Sequence, residues 1–155
     1  MHYSRRSGFD VQRGDIELGK FEGVVQSLEE VKILYSTEIR HAASRIDCIW
    51  FSEDFKYIPA VIEIEHSTGV TSGVTRMLKL WETIPSITAN FTVVAPDDLR
   101  NKVVSEANNP AFITLNTRYM PYSTVRILYG LIQRYDLSNV VERTFIEPFL
   151  ENIVE

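Results

Sequence analysis

Ile58-Pro59-Ala60-Val61-Ile62-Glu63-Ile64-Glu65-His66-Ser67-Thr68-Gly69 is an apolar run that turns acidic at its far end and stops at small residues. Val61, Glu63 and Glu65 alternate with Ile62 and Ile64. A period of two is that of a β-strand, so both acids share one face, about 7 Å apart. Like charges on one face of an otherwise apolar strand raise each other's pKa and cost desolvation energy, unless a cation neutralises them. An edge strand with a solvated acidic face is the plain alternative, and the preceding strand bears on the choice.

That strand is Ile46-Asp47-Cys48-Ile49-Trp50-Phe51, a β-rich run with one acid in it. Aspartate has poor strand propensity and resists burial, so it marks the strand's open end or a chemical task. Ser52 to Tyr57 reads as a hairpin loop, and a turn centred near Phe55 sets Asp47 opposite Glu63. Asp47, Glu63 and Glu65 then converge. Opposed carboxylates destabilise a sheet on their own account, so this convergence favours a hard divalent cation such as Mg²⁺.

Upstream, Met1 to Asp15 has little apolar pattern and reads as an arm, in which Arg5, Arg6 and Arg13 either touch a polyanion or are simply solvated. From Ile16 the apolar residues Leu18, Phe21, Val24, Val25, Leu28 and Val31 recur at three- and four-residue steps, as in an amphipathic helix ending near Lys32. Ile33 to Arg40 fits the last turn of that helix or a short strand through Ile33, Tyr35 and Thr37. The strand is preferred, with His41 to Arg45 as a polar connection.

Downstream of Gly69 the period changes. Val70, Val74, Met77, Leu78 and Trp81 form one helical stripe, with Thr75, Arg76 and Lys79 elsewhere on the surface and Ser67, Thr68 or Thr71 as candidate caps. The amides at this helix's start and Arg76 are placed to meet a phosphate, although an arginine on a helix is more often simply solvated. Ala89 to Pro96 reads as a buried strand. Asp97 or Asp98 starts a helix that Pro110 ends, Ala111 to Asn116 gives a strand, Ser123 to Tyr135 a helix, and Leu137 to Val154 a helical tail interrupted at Pro148. Tyr119, Tyr122, Tyr129 and Tyr135, with Arg118, Arg126 and Arg134, either form a basic-aromatic surface or pack a helix on the sheet.

The 155 residues, 45% of them hydrophobic, suit a single domain made of the arm (1–15), a core (16–96) and a strand and helical extension (97–155). Cys48 is the only cysteine, which removes a disulfide framework and a Cys-based zinc site and suits a reducing cytoplasm, the expected location. No apolar run suggests a membrane span. A formal charge of -5 argues against a broadly basic protein that coats nucleic acid. A nuclease stays open, because acids gathered at a metal site lower the net charge while local basic ridges hold phosphates.

Arg45-Ile46-Asp47, then Glu63-Ile64-Glu65 after a hairpin, then a helix and a strand, resemble the core of the PD-(D/E)xK nuclease superfamily, the fold of restriction endonucleases. The resemblance covers Ile16 to Pro96. It implies an α/β sandwich with a central mixed sheet flanked by helices, an α-β-β-β-α-β core followed by C-terminal helices. It also implies a divalent-metal-dependent DNA endonuclease, a restriction endonuclease catalytic domain or subunit, using Mg²⁺ with Mn²⁺ able to substitute. Carried over, Asp47 and Glu63 match the metal-binding acids, with the Ile64 carbonyl and an acid of the first helix, Glu30, as further ligands. Two positions depart from the pattern. Glu65 stands where lysine is usual, as in a minority of these enzymes, and Ile46 stands where proline is usual. Glu65 is then the general base or a further ligand, since a carboxylate cannot supply positive charge.

Arg45 and Arg76 are the expected nucleic-acid contacts. Cleavage of double-stranded DNA needs two active sites, so a homodimer or a partner subunit is expected. His66 is either catalytic or a hydrogen-bonded imidazole on the opposite strand face. Two rivals remain: a catalytically inactive module of the same fold for DNA binding or subunit assembly, and a metal-independent carboxylate hydrolase such as a glycosidase. In the second, Glu63 and Glu65 lie too close along one strand to flank a sugar, so Asp47 would have to supply the opposing acid.

Overall fold

The hairpin forms with the expected register. Cys48–Trp50 and Ala60–Ile64 run antiparallel with Cys48 opposite Ile62 and Trp50 opposite Ala60, a register that brings Asp47 level with Glu63. Phe55, at the turn, takes a positive φ of 55°. Its backbone N–H donates to the Ser52 carbonyl at 3.0 Å, while the Ser52 hydroxyl accepts from the N–H groups of Lys56 and Tyr57 and closes the loop from inside. A computed structural model describes residues 2–4, 28, 31–52, 54–67, 69–84, 87–137 and 143–155.

Six strands make one mixed sheet in sequence order: β1 (His2–Ser4), β2 (Cys48–Trp50), β3 (Ala60–Ile64), β4 (Asn90–Ala95), β5 (Arg118–Pro121) and β6 (Glu151–Asn152). β1, β2 and β3 pair antiparallel, β3, β4 and β5 parallel, and β6 closes the far edge antiparallel to β5. The parallel strands require crossovers, and helices supply them: α2 (Val70–Thr83) between β3 and β4, and α3 (Arg100–Ala107) between β4 and β5. α1 (Thr37–Ala43) precedes β2, α4 (Tyr122–Tyr135) follows β5, and the short α5 (Arg143–Ile146) leads to β6. This is the mixed α/β sandwich expected from the sequence.

The core lies between the sheet and α1 to α3, with Val61, Val70, Val74, Met77, Leu80, Val93 and Val103 fully enclosed. β4 is buried at Phe91, Thr92, Val93 and Ala95. A near-continuous apolar run is what a parallel strand needs when both faces are covered. Leu28 and Val31 also enter the core, but the rest of the helix expected from Ile16 to Lys32, apart from Lys32 itself, falls outside the described residues, and so does Glu30.

Five local expectations are corrected. His2–Ser4, read as part of an arm, is an edge strand on β2. Ile33 to Thr37 is not a strand: the Ser36 hydroxyl accepts from the Ile39 N–H at 3.1 Å and starts α1, which carries through the supposed connection to Ala43. Ala111 to Asn116 is a turn with a 3-10 segment over Ile113–Leu115. There the Asn109 carbonyl accepts from the N–H groups of Phe112 and Ile113, so a local bond takes the place of a ladder, and the strand begins at Arg118. The C-terminal tail ends in β6, with Arg100 Nε 2.9 Å from Glu151 Oε2 and the Asn108 amide donating to the Ile153 carbonyl. On α2 the buried stripe runs through Gly73 and Leu80 while Trp81 stays 38% exposed, and Gly69 caps the helix without a side-chain bond. Among the described residues no helix is long and apolar enough to cross a membrane.

Candidate active site

β3 points its carboxyl end at the start of α2, and antiparallel β2 brings its own beginning to the same place. Residues at this junction therefore come from two strand ends and one helix start, the usual position of a ligand site in sheets with parallel strands. Asp47 stands close enough to Glu63 to share a hydrogen bond. Its Oδ2 also accepts from the Ile64 N–H at 3.0 Å. In extended backbone a residue's N–H and C=O point the same way, so the Ile64 carbonyl is aimed to the Asp47 side as well. The Glu65 N–H instead donates across to β4, to the Val94 carbonyl.

Glu63 has no exposed surface and Glu65 only 9%. Arg76, on α2, grips Glu63 with two prongs: its Nε lies 3.0 Å from Oε1, and its Nη2 bonds Oε2. The same Nη2 is 3.4 Å from Glu65 Oε1, and Nη1 donates to the Ser72 hydroxyl at 3.0 Å. Burial pushes the Glu63 carboxyl up, to about 8, with Asp47 adding to the rise and Arg76 opposing it. Burial raises Glu65 as well, again against the pull of Arg76.

The folded chain thus holds the Glu63 proton more tightly than the unfolded chain, whose glutamate titrates near 4.5. Its contribution to stability is full below pH 4.5 and is lost as the pH rises through about 8. In a chelating buffer, the melting temperature of the wild type should therefore fall by several degrees relative to Glu63→Gln across that window. Parallel melting curves from pH 5 to 9 check this, and equal slopes would remove the buried-carboxyl account.

Glu65 lies against α2 because two glycines leave room for it. A Cβ on Gly69 would sit 2.5 Å from Glu65 Oε2, and one on Gly73 would sit 2.5 Å from Oε1 and 3.3 Å from the Glu63 Cβ. The colliding atoms are the free end of a side chain, so the fold can yield where the site cannot. Gly73→Ala should displace the Glu65 carboxylate and, on the nuclease activity expected from the sequence, lower cleavage at least tenfold while changing stability by about 1 kcal/mol or less. Gly130, mid-helix with nothing near its Cβ position, is the control: Gly130→Ala should add roughly 0.5–1 kcal/mol and leave cleavage unchanged. Urea denaturation and plasmid cleavage measured side by side separate the two effects.

The expected residues are distributed as follows. Asp47, Glu63, Ile64 and Glu65 gather at one junction, joined by Arg76, which the sequence placed on the surface and the fold turns inward to 20% side-chain exposure. Arg45 lines an adjoining groove of about 740 Å³ between α1 and α2, together with His41, Arg76, Lys79, Thr71 and Ser72. Lys79 faces Glu38 at 3.9 Å. His66 is exposed, its Nδ1 2.6 Å from the Tyr122 hydroxyl, which also lies 3.1 Å from the Glu65 carbonyl. Tyr122 is the residue missed as a site component. The supposed basic-aromatic surface divides: Tyr119 is in the core, and Tyr129 and Tyr135 are exposed on α4. Burial pushes the Cys48 thiol up, to about 11.

Among the described residues, no group of three or more His, Cys, Asp and Glu side chains is arranged to hold a metal ion. The donor chemistry fits a smaller protein contribution. Mg²⁺ commonly keeps several waters and takes one or two carboxylates plus substrate phosphate, and Asp47 and Glu63 make such a pair. Asp47, Glu63 and Glu65 bring three carboxyls to this junction, and Arg76 bonds two of them directly.

A relative from Neisseria meningitidis serogroup C, the "Type II restriction enzyme NmeDI", is 42% identical in an alignment 152 residues long that covers 96% of this chain and 43% of the relative. The chain thus spans less than half the length of that relative. No solved structure matches. The family model described as the type II restriction enzyme NmeDI C-terminal domain matches residues 11–153, and the chain belongs to that family.

Proposed function

We propose that the chain carries the hydrolytic centre of a divalent-metal-dependent DNA endonuclease of the PD-(D/E)xK type, working within a restriction system. The observation that carries this reading is the meeting of Asp47 and Glu63 across the β2–β3 pair, beside Arg76 at the carboxyl end of β3. The name of the Neisseria relative, a type II restriction enzyme, supports the substrate class. Asp47, Glu63 and the Ile64 carbonyl would hold Mg²⁺, or Mn²⁺ in its place; Glu30, which lies outside the described residues, is the further ligand that the family resemblance implies. When bound, the ion supplies Lewis-acid polarisation of the phosphate and lowers the pKa of water.

Glu65 takes the proton from the attacking water, a task suited to a carboxylate whose affinity for protons burial has raised. The water oxygen bonds to phosphorus, the opposite P–O bond breaks, and the departing ester oxygen keeps the electron pair and takes a proton from solvent. Arg45 and Arg76 face the phosphates of double-stranded DNA. A second copy of the chain or a partner subunit supplies the other cut, and the reaction belongs in the cytoplasm.

The second reading, an inactive module of this fold for DNA binding or subunit assembly, is favoured by the hold of Arg76 on Glu63. Incubating the purified chain with supercoiled plasmid in Mg²⁺ or Mn²⁺, with and without EDTA, separates the two. Metal-dependent nicking or linearisation is the expected result. Intact plasmid bound by the chain would establish the module, and cleavage that survives EDTA would bring back a metal-independent hydrolase.

A further inference from the structure

Arg76 uses both oxygens of Glu63 and keeps a third contact to Glu65, so it takes a lone pair on each oxygen of a carboxylate that a divalent ion would also bind. Two cations therefore contend for one acid. The arginine has somewhere else to go: its Nη1 is tied to Ser72, one turn earlier on α2, and both residues line the groove between α1 and α2. A guanidinium fork matches a phosphate as well as it matches a carboxylate. Negative charge builds on the phosphoryl oxygens as water attacks, and Arg76 is a positive side chain already bonded to the carboxylates of this centre.

We propose that Arg76 is the exchangeable cation of the centre: it competes with the divalent ion for Glu63 and, once displaced, turns its fork to the scissile phosphate while Ser72 keeps hold of it. The proposal rests on the reading of Asp47 and Glu63 as the ion's ligands. It requires opposite effects from one substitution, because a residue that competes with the ion and also serves the reaction must weaken binding of the first while promoting the second. A residue that only braced Glu63 would move both in the same direction.

The test is calorimetric titration of Mn²⁺ into the wild type, Arg76→Gln, Arg76→Lys and Glu63→Gln without DNA, followed by plasmid cleavage by each. Arg76→Gln should bind Mn²⁺ about tenfold more tightly, the scale of removing one adjacent charge. It should also cleave roughly 100-fold more slowly, the scale of losing one donor to the reacting group. Arg76→Lys, with its charge kept and its fork lost, should bind the ion more tightly than the wild type and keep part of the activity. Unchanged or weaker Mn²⁺ binding by Arg76→Gln, or undiminished cleavage, overturns the proposal. Should Arg76→Gln fail to fold by circular dichroism, Arg76→Lys decides, and an affinity equal to the wild type overturns it. A wild-type titration identical to that of Glu63→Gln would instead overturn the ion site itself, and the proposal with it.

Discussion

Asp47→Asn and Glu63→Gln should each lower plasmid cleavage about 10³-fold, the upper range for losing a group that stabilises charge at a reacting phosphate. Both replacements keep the side chain's shape and change its charge. Asp47→Asn can still hold the Ile64 N–H through its amide oxygen, so the β2–β3 register survives. Glu63→Gln loses a carboxylate that is buried at a cost, so it should fold as well as the wild type and melt higher above pH 8. The expected pattern is therefore a dead site in an intact fold. It is measured by initial rates of supercoil loss next to melting curves, and cleavage within a few-fold of wild type by either variant would remove the pair from the chemistry.

Tyr119→Ala should cost about 3–5 kcal/mol, the range for truncating a large aromatic side chain in a well-packed core. Tyr119 lies on β5 with no exposed surface, and its hydroxyl donates to the Pro96 carbonyl at 2.9 Å, with the Ala95 carbonyl at 3.3 Å. It therefore ties the end of β4 to β5. Tyr119→Phe keeps the ring and gives up the bond, so about 1 kcal/mol is expected. The midpoints of urea unfolding separate the two. A Tyr119→Ala loss no larger than that of Tyr119→Phe would mean that the ring contributes little to the core.

The meeting of Asp47, Glu63 and Glu65 is legible in the sequence because its signals are local. A hairpin fixes its register by the position of its turn, and a turn at Phe55 puts Asp47 level with Glu63. The change from period two to a helical stripe at Gly69 likewise placed α2. Arg76 was harder. Its contact with Glu63 spans 13 residues and depends on how α2 lies on β3, which periodicity does not report. A signal was nevertheless present: Gly69, Gly73 and Arg76 follow at steps of four and three, a small-small-arginine stripe on one helix face directly after a Glu-x-Glu strand. Glycines on the inward stripe of a helix mark a close approach, and the side chain that approaches is Glu65.

The misread elements share a cause. Ile33 to Thr37 and Ala111 to Asn116 both carry alternating apolar residues over only a few positions. In both, a nearby polar group settled the backbone: the Ser36 hydroxyl capping α1, and the Asn109 carbonyl taking two N–H groups in turn. β6 escaped notice because two residues hold no periodicity. It exists because β5 has an open edge and the tail is pinned beside it by Arg100 and Asn108.

The measurement that bears most directly on the central claim is an anomalous diffraction map from crystals soaked in Mn²⁺. With Asp47 and Glu63 as the ion's ligands, the map should show a peak bonded to both carboxylates at the β2–β3 junction and the Arg76 guanidinium moved off Glu63. Peaks confined to other acids, with Arg76 still gripping Glu63, would contradict it.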